Sequence, residues 1–122
     1  MSETELTVKL SEIVSDFNLD ALFAPEGWEN VKINTAEVNR PGLQICGFFQ
    51  HFDNTRIQLL GIVEFEYLKT LNEEQRFERL NNLFASRIPA AIVTTELTPF
   101  SEMIEAAKNN SMPLFTTKDT TS

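Results

Sequence analysis

The side chains best suited to chemistry cluster in one stretch, NRPGLQICGFFQHFDNTRIQLLG, residues 39–61. Arg40 and Arg56 carry guanidinium groups whose paired donors match a phosphate or a carboxylate, and Gln44 and Gln58 add neutral hydrogen-bonding groups beside them. These four residues are the candidate ligand contacts. The alternative for both arginines is structural, with each paired to Asp53 or a nearby Glu. On that reading Arg40→Ala costs about 1–3 kcal/mol of stability through a broken buried charged hydrogen bond. His51, the one histidine, titrates near neutrality, and Cys46, the one cysteine, is a thiol that could act as a nucleophile. A catalytic histidine also needs an orienting partner, so His51 reads as a surface or loop residue. Cys46 lies in an apolar run and reads as a buried thiol. An enzyme built on the two would require both side chains to converge on one pocket. No catalytic residue and no metal ligand is assigned.

Motifs elsewhere add no chemistry. The chain contains no GxxxxGK[ST], GxGxxG, HExxH or paired CxxC, and its four glycines could scarcely build a phosphate-cradling loop. The carboxylate pairs Glu64 with Glu66 and Glu73 with Glu74 read as solvated helix faces with favourable charge at helix starts. With 18 Asp and Glu against 10 Lys and Arg, the net charge of −8 repels nucleic acid and anionic lipid. No apolar run approaches the roughly 20 residues of a membrane helix. The start, MSETELTVKL, has neither the basic nor the apolar region of a secretory signal, and a lone cysteine forms no internal disulfide. A cytoplasmic protein is expected.

These candidates must be held by regular elements, and 122 residues at 42% hydrophobic suit one domain with its own core. RIQLL, residues 56–60, reads as a buried strand and is followed by a turn of helix around residues 64–71. Asn72 with Gln75 forms a capping box before a helix burying Phe77, Leu80, Leu83 and Phe84. AAIVT from Ala90 is a second strand. Thr98 and Pro99 open a helix with a Phe100, Met103, Ile104 and Ala107 stripe, and PLFTT from Pro113 is a third strand. Strand, helix, strand, helix, strand with short links predicts a three-layer α/β domain with a mainly parallel sheet flanked by helices. Ligands of such sheets lie beyond the carboxyl ends of the strands, here near Gly61, residues 94–97 and Thr116.

In the first half, Leu10, Ile13, Val14 and Phe17 have helical spacing, residues 19–23 form a strand, and residues 31–33 form an edge strand. Trp28 is either an exposed binding surface or a lid over the core. NRPG predicts a type II turn with positive φ at Gly42. The spacing of Ile45, Phe48, Phe49 and Phe52 predicts a short aromatic helix, with Gly47 admitting a neighbouring backbone.

EVNRPGLQICGFFQHFDNTRIQLLGIVE, then PAAIVTTELTP and MPLFTTKDTTS, resembles the N-terminal domain of bacterial HPr kinase/phosphorylase. Of the pattern N-R-P-G-L-x-L-x-G-F-F, R-I-Q-L-x-G and P-x-x-I-V-T, Asn39, Arg40, Pro41, Gly42, Leu43, Gly47, Phe48, Phe49, Arg56, Ile57, Gln58, Leu59, Gly61, Ile92, Val93 and Thr94 match as they stand. The resemblance covers nearly the whole chain. It departs at the end, where Phe115 and Thr116 stand in place of a commonly basic residue.

The resemblance implies a Mur-ligase-N-terminal-like fold, with a single α/β domain over residues 1–116 and a linker or tail over residues 117–122. It implies a non-catalytic N-terminal regulatory or interaction domain of a bifunctional enzyme. That parent uses ATP to phosphorylate a serine of HPr, removes the phosphate again, and so controls carbon catabolite repression and the phosphotransferase system. The partners implied are the C-terminal kinase domain, HPr, further copies in a homo-oligomer and a small phosphorylated metabolite. ATP and magnesium belong to the kinase domain, and no cofactor is expected in this chain, which should be inactive alone. The other function class left open is a free-standing module binding a nucleotide or sugar phosphate through Arg40, Gln44, Arg56 and Gln58.

Overall fold

The computed structural model describes residues 8–33, 38–47, 49, 52–94 and 97–117. In chain order the elements are β1 (Val8–Lys9), α1 (Leu10–Asp16), β2 (Leu19–Phe23), a 3-10 turn (Trp28–Asn30), β3 (Lys32–Ile33), β4 (Val38–Asn39) and α2 (Gly42–Ile45). There follow β5 (Ile57–Leu60), α3 (Ile62–Lys69), α4 (Glu73–Phe84), β6 (Ala91–Val93), α5 (Ser101–Asn109) and β7 (Leu114–Thr117).

A strand reading AIV has no polar residue to turn toward water, and all three residues of β6 are buried. Its neighbours β5 and β7 run parallel to it, with Leu59 beside Ile92 and Ile92 beside Phe115. The sheet continues with β4 parallel to β5 at one edge and β2 antiparallel to β7 at the other, giving the order β2-β7-β6-β5-β4. The four parallel strands therefore lie side by side in chain order. Crossovers of one hand between such strands put every connecting helix on the same face. On that face Leu60, Ala91, Val93 and Leu114 join Phe65, Leu80, Phe84 and Met103 in one core cluster.

The alternate residues Ile57, Ile92 and Phe115 point the other way and need a separate cover. The N-terminal segment supplies it through Leu10 of α1, Ile33 of β3 and Trp28, whose ring lies 5.2 Å from that of Phe115. Helices, sheet and N-terminal cover make the three layers, and Trp28 is a lid over the core. This is the expected α/β class, with the mainly parallel sheet of a Mur-ligase-N-like domain.

Several local expectations are corrected. Residues 32 and 33 do form a strand, but it pairs with β1 in a separate two-stranded antiparallel sheet rather than edging the main one. NRPG is not a type II turn: Gly42 lacks the positive φ that turn requires and is instead the first residue of α2. Pro41 precedes it with φ −88°, where a missing N–H costs nothing, and its carbonyl accepts from the Ile45 N–H at 2.9 Å. The aromatic helix is likewise absent as drawn, because α2 ends at Ile45 and Gly47 takes φ +104°. Phe49 and Phe52 meet edge to face at 5.6 Å, while Phe48 lies outside the described residues. What approaches Gly47 is the Arg79 side chain, which donates to the Cys46 carbonyl at 3.2 Å, not a backbone. Phe17 closes α1 at 68% exposure instead of joining its buried face. Phe100 stands just before α5 and stacks on Phe65 at 5.1 Å.

Two polar devices order the helical layer. The Asn72 capping box is formed as expected, Gln75 N–H donating to Asn72 Oδ1 at 2.8 Å and Asn72 N–H to Gln75 Oε1 at 3.2 Å. From the same turn Arg76 donates to the Leu68 and Leu71 carbonyls at the end of α3 and to Glu102 of α5, at 3.0, 2.7 and 3.1 Å. Its guanidinium also lies 4.5 Å from the centre of the Phe100 ring. Arg76→Gln leaves those carbonyls and the largely buried Glu102 short of donors. It should lower unfolding free energy by about 2–3 kcal/mol in urea denaturation, and an unchanged midpoint would contradict the assignment.

The turn into β5 is set by Asp53, which accepts from Thr55 Oγ1 at 2.6 Å, from Thr55 N–H at 3.0 Å and from Arg56 Nε at 3.2 Å. The Thr55 hydroxyl and amide, then Arg56, hold its carboxyl below the usual carboxylate range. A depressed folded-state pKa stabilises the fold above the unfolded value and loses that contribution as pH falls through the folded one. The stability difference between the native chain and Asp53→Asn should therefore be largest near neutrality and shrink on acidification below about pH 4. Melting curves across pH read it out, and a constant difference would refute it.

Candidate functional site

The carboxyl ends of β5, β6 and β7 form one rim, and a cavity of about 520 Å³ opens there, lined by Arg40, Leu59, Gly61, Ile62, Thr94 and Thr117 among others. Ligands of open parallel sheets lie beyond the carboxyl ends of the strands, where strand carbonyls stop and helix starts bring free amides. Gly61 and Thr94, expected from sequence, are on its wall. Of the remaining expected segment, residues 95 and 96 lie outside the described residues and Leu97 packs against the core. Thr116 is committed inward, its hydroxyl donating to the Val93 carbonyl at 3.2 Å.

The four candidate contacts do not converge. Arg40 alone lines the cavity. Arg56 sits at the opposite end of β5, in the ion pair with Asp53, as the structural reading held. Gln58 is wholly buried, accepting from Asn39 Nδ2 at 2.7 Å and donating to the Arg56 carbonyl at 2.8 Å. Gln44 accepts from the same Asn39 amide at 3.3 Å. The three side-chain amides tie α2 and β4 to β5, so Gln44 and Gln58 act as internal clamps on the base of the site.

Arg40 departs from its structural expectation. It is exposed, and among the described residues it has no ion-pair partner, so the stability loss expected for its removal has no buried bond behind it. Its position is nevertheless fixed. Asn39 before it is clamped to Gln58, and Pro41 after it is buried. A methyl group on Gly61 would lie 2.8 Å from Arg40 Nη1 and 3.6 Å from Thr94 Oγ1. A β-carbon at position 61 would push the tip of the Arg40 side chain away from the end of β5.

Glu64 is 3% exposed, against its expected place on a solvated face. Its Oε1 accepts from the Gly61 N–H at 2.7 Å, closing the start of α3. The pairing of Arg40 with Gly61 and the burial of Glu64 were missed from sequence. The Gly61-to-Glu64 spacing was the available signal for the cap. Glu66 is exposed as expected and pairs with Lys69 at 3.4 Å.

Cys46 lies on the exposed turn after α2, not in the core, because Gly47 takes the chain out of the helix there. His51 lies outside the described residues. Among the described residues no three His, Cys, Asp or Glu side chains converge as metal ligands, and no helix is long and apolar enough to cross a membrane.

A second cavity, of about 590 Å³, lies at the amino ends of the same strands beside Lys32, Asn54, Arg87 and Ser111. The carboxyl ends of α4 and α5 point their carbonyls at it, a negative field that Lys32 and Arg87 offset. Two of its polar side chains are committed, Asn54 Nδ2 donating to the Ser86 carbonyl at 2.8 Å and Asn110 Nδ2 to the Ala106 carbonyl at 2.9 Å. The Arg40 cavity, at a helix start, is the better candidate although it is the smaller.

The model of the family described as HPr Serine kinase N terminus matches residues 8–122. The HPr kinase/phosphorylase of Caldicellulosiruptor bescii is 39% identical over 112 residues, covering 92% of this chain and 36% of the relative. That of Caldanaerobacter subterraneus is also 39% identical over 112 residues, with the same coverage. The Clostridium botulinum protein of that name is 34% identical over 116 residues, covering 95% of this chain and 38% of the relative. The chain thus spans little more than a third of the length of the curated relatives it matches. It belongs to the family of HPr serine kinase N-terminal domains.

Proposed function

We propose that this chain is the non-catalytic regulatory and interaction domain of a cytoplasmic, bacterial HPr serine kinase/phosphorylase, through which carbon catabolite repression is adjusted. The observation that carries the reading is the family match over residues 8–122 to the first part of a larger enzyme. ATP and magnesium are assigned to the rest of the parent rather than to this chain. The sequence has no GxxxxGK[ST], and among the described residues no carboxylate cluster stands ready for a metal. The phosphoryl chemistry on HPr is assigned to the rest of the parent. Its C-terminal kinase domain, HPr and further copies of the parent are the proposed partners, with a small metabolite as the signal.

The purified 122-residue chain, mixed with ATP, magnesium and HPr, should transfer no phosphate. The C. bescii relative with the matching segment deleted should retain HPr phosphorylation to within about tenfold, but lose part of its response to metabolites, the size of an ordinary coupling between sites. Grafting this chain in place of the deleted segment should restore that response. Phosphorylation of HPr by the isolated chain, or a deletion that leaves every metabolite response intact, would contradict the reading.

A further inference from the structure

We propose that the cavity at the carboxyl ends of β5, β6 and β7 binds a small anion with an apolar body, its acid group on Arg40 and its body against Leu59, Ile62 and Val63. This goes beyond the regulatory reading and holds whether or not the parent acts on HPr.

Three observations carry it. The first is the state of Arg40. In a chain with 18 acidic residues against 10 basic ones, a rigidly based guanidinium has many carboxylates to choose from, yet Arg40 has none among the described residues. Among the described residues Arg56, Lys69 and Arg76 are ion-paired, while Lys32, Arg79 and Arg87 share with Arg40 the lack of a carboxylate; of these, Arg40 is the one that lines this cavity. Glu64, at the same end of β5, turns instead to the Gly61 amide, and Arg40 lines the cavity.

The second is the room made for it. Gly61 lacks the one carbon that would displace Arg40, and Asn39 and Pro41 hold its backbone on either side. The third is the wall. Ile62 and Val63 are 65% and 72% exposed at the start of α3, beside half-buried Leu59. Their first-turn amides have no intrahelical acceptor and add a positive field. An acid alone would leave the apolar wall wet, and an apolar ligand alone would leave Arg40 unused. A molecule with both parts satisfies both. About 520 Å³ suits a ligand of that size.

The test is amide NMR on the 122-residue chain, with phenyl phosphate and benzoate as anionic probes and benzyl alcohol as their neutral counterpart. At least one anionic probe should shift the Gly61, Ile62, Thr94 and Thr117 amides saturably, with a Kd of about 1 mM as befits a fragment. Benzyl alcohol should bind about tenfold more weakly or not at all. Arg40→Gln should weaken the anionic probe about tenfold, while Arg56→Gln, whose native side chain is held by Asp53, should leave it unchanged. Gly61→Ala, which pushes the guanidinium aside, provides the same loss independently if Arg40→Gln folds poorly. Absence of saturable shifts up to about 20 mM, well above the Kd expected of a fragment, would overturn the proposal. So would shifts centred on Lys32 and Arg87, or affinity indifferent to both Arg40→Gln and Gly61→Ala.

Discussion

The structure depends on burying β6 on both faces. Ala91, Ile92 and Val93 offer no polar side chain, so apolar layers must exist above and below them, and each layer must come from elsewhere in the chain. Because β4 to β7 lie in chain order, the helices between them all fall on one side. The other side would stay bare without the first third of the chain. Leu10, Trp28 and Ile33 are therefore structural necessities, although α1, the 3-10 turn and a two-residue strand look dispensable one at a time. A fold closed in this way has two ends left open, the amino and carboxyl rims of the parallel strands.

Electrostatics then distinguishes the two rims. At the amino rim α4 and α5 end, their carbonyls need donors, and Lys32, Asn54 and Arg87 sit among them. At the carboxyl rim α3 begins, the amide of its capping residue Gly61 is taken by buried Glu64, and Arg40 is brought in from the neighbouring strand by a clamp of three side-chain amides. The opening stretch of candidate chemistry is thereby divided by position. Gln44, Gln58 and Arg56 hold the scaffold, and Arg40 faces the cavity they support.

Much of this was legible in the sequence wherever the signal was local. The IQLL and AIV runs, the Asn72 and Gln75 box and the Leu80, Leu83 and Phe84 face are each fixed by residues within a few positions of one another, and they stand where they were expected. Strands of two residues could not be read that way. β1 and β4 exist only because a partner lies beside them, and β3 chose β1 over the main sheet for the same reason. The helix drawn through Ile45, Phe48, Phe49 and Phe52 failed because periodicity does not reveal that Gly47 will take a left-handed turn, which also brought Cys46 to the surface. The site was half legible: Gly61 and Thr94 follow from topology. Arg40 over Gly61 is a contact across 21 positions, 61 less 40, and no spacing rule reports it.

Hydrogen exchange of the backbone amides tests the doubly covered sheet most directly. The Ala91 amide donates to the Pro113 carbonyl and the Thr94 amide to the Leu60 carbonyl, both at 3.0 Å and both flanking β6. If burial on two faces holds the fold together, these amides exchange only through global unfolding, with the protection free energy measured by denaturant, while β1 and β4 open more easily. Amides of β6 that exchanged as fast as those of β4, well below the global stability, would contradict the account.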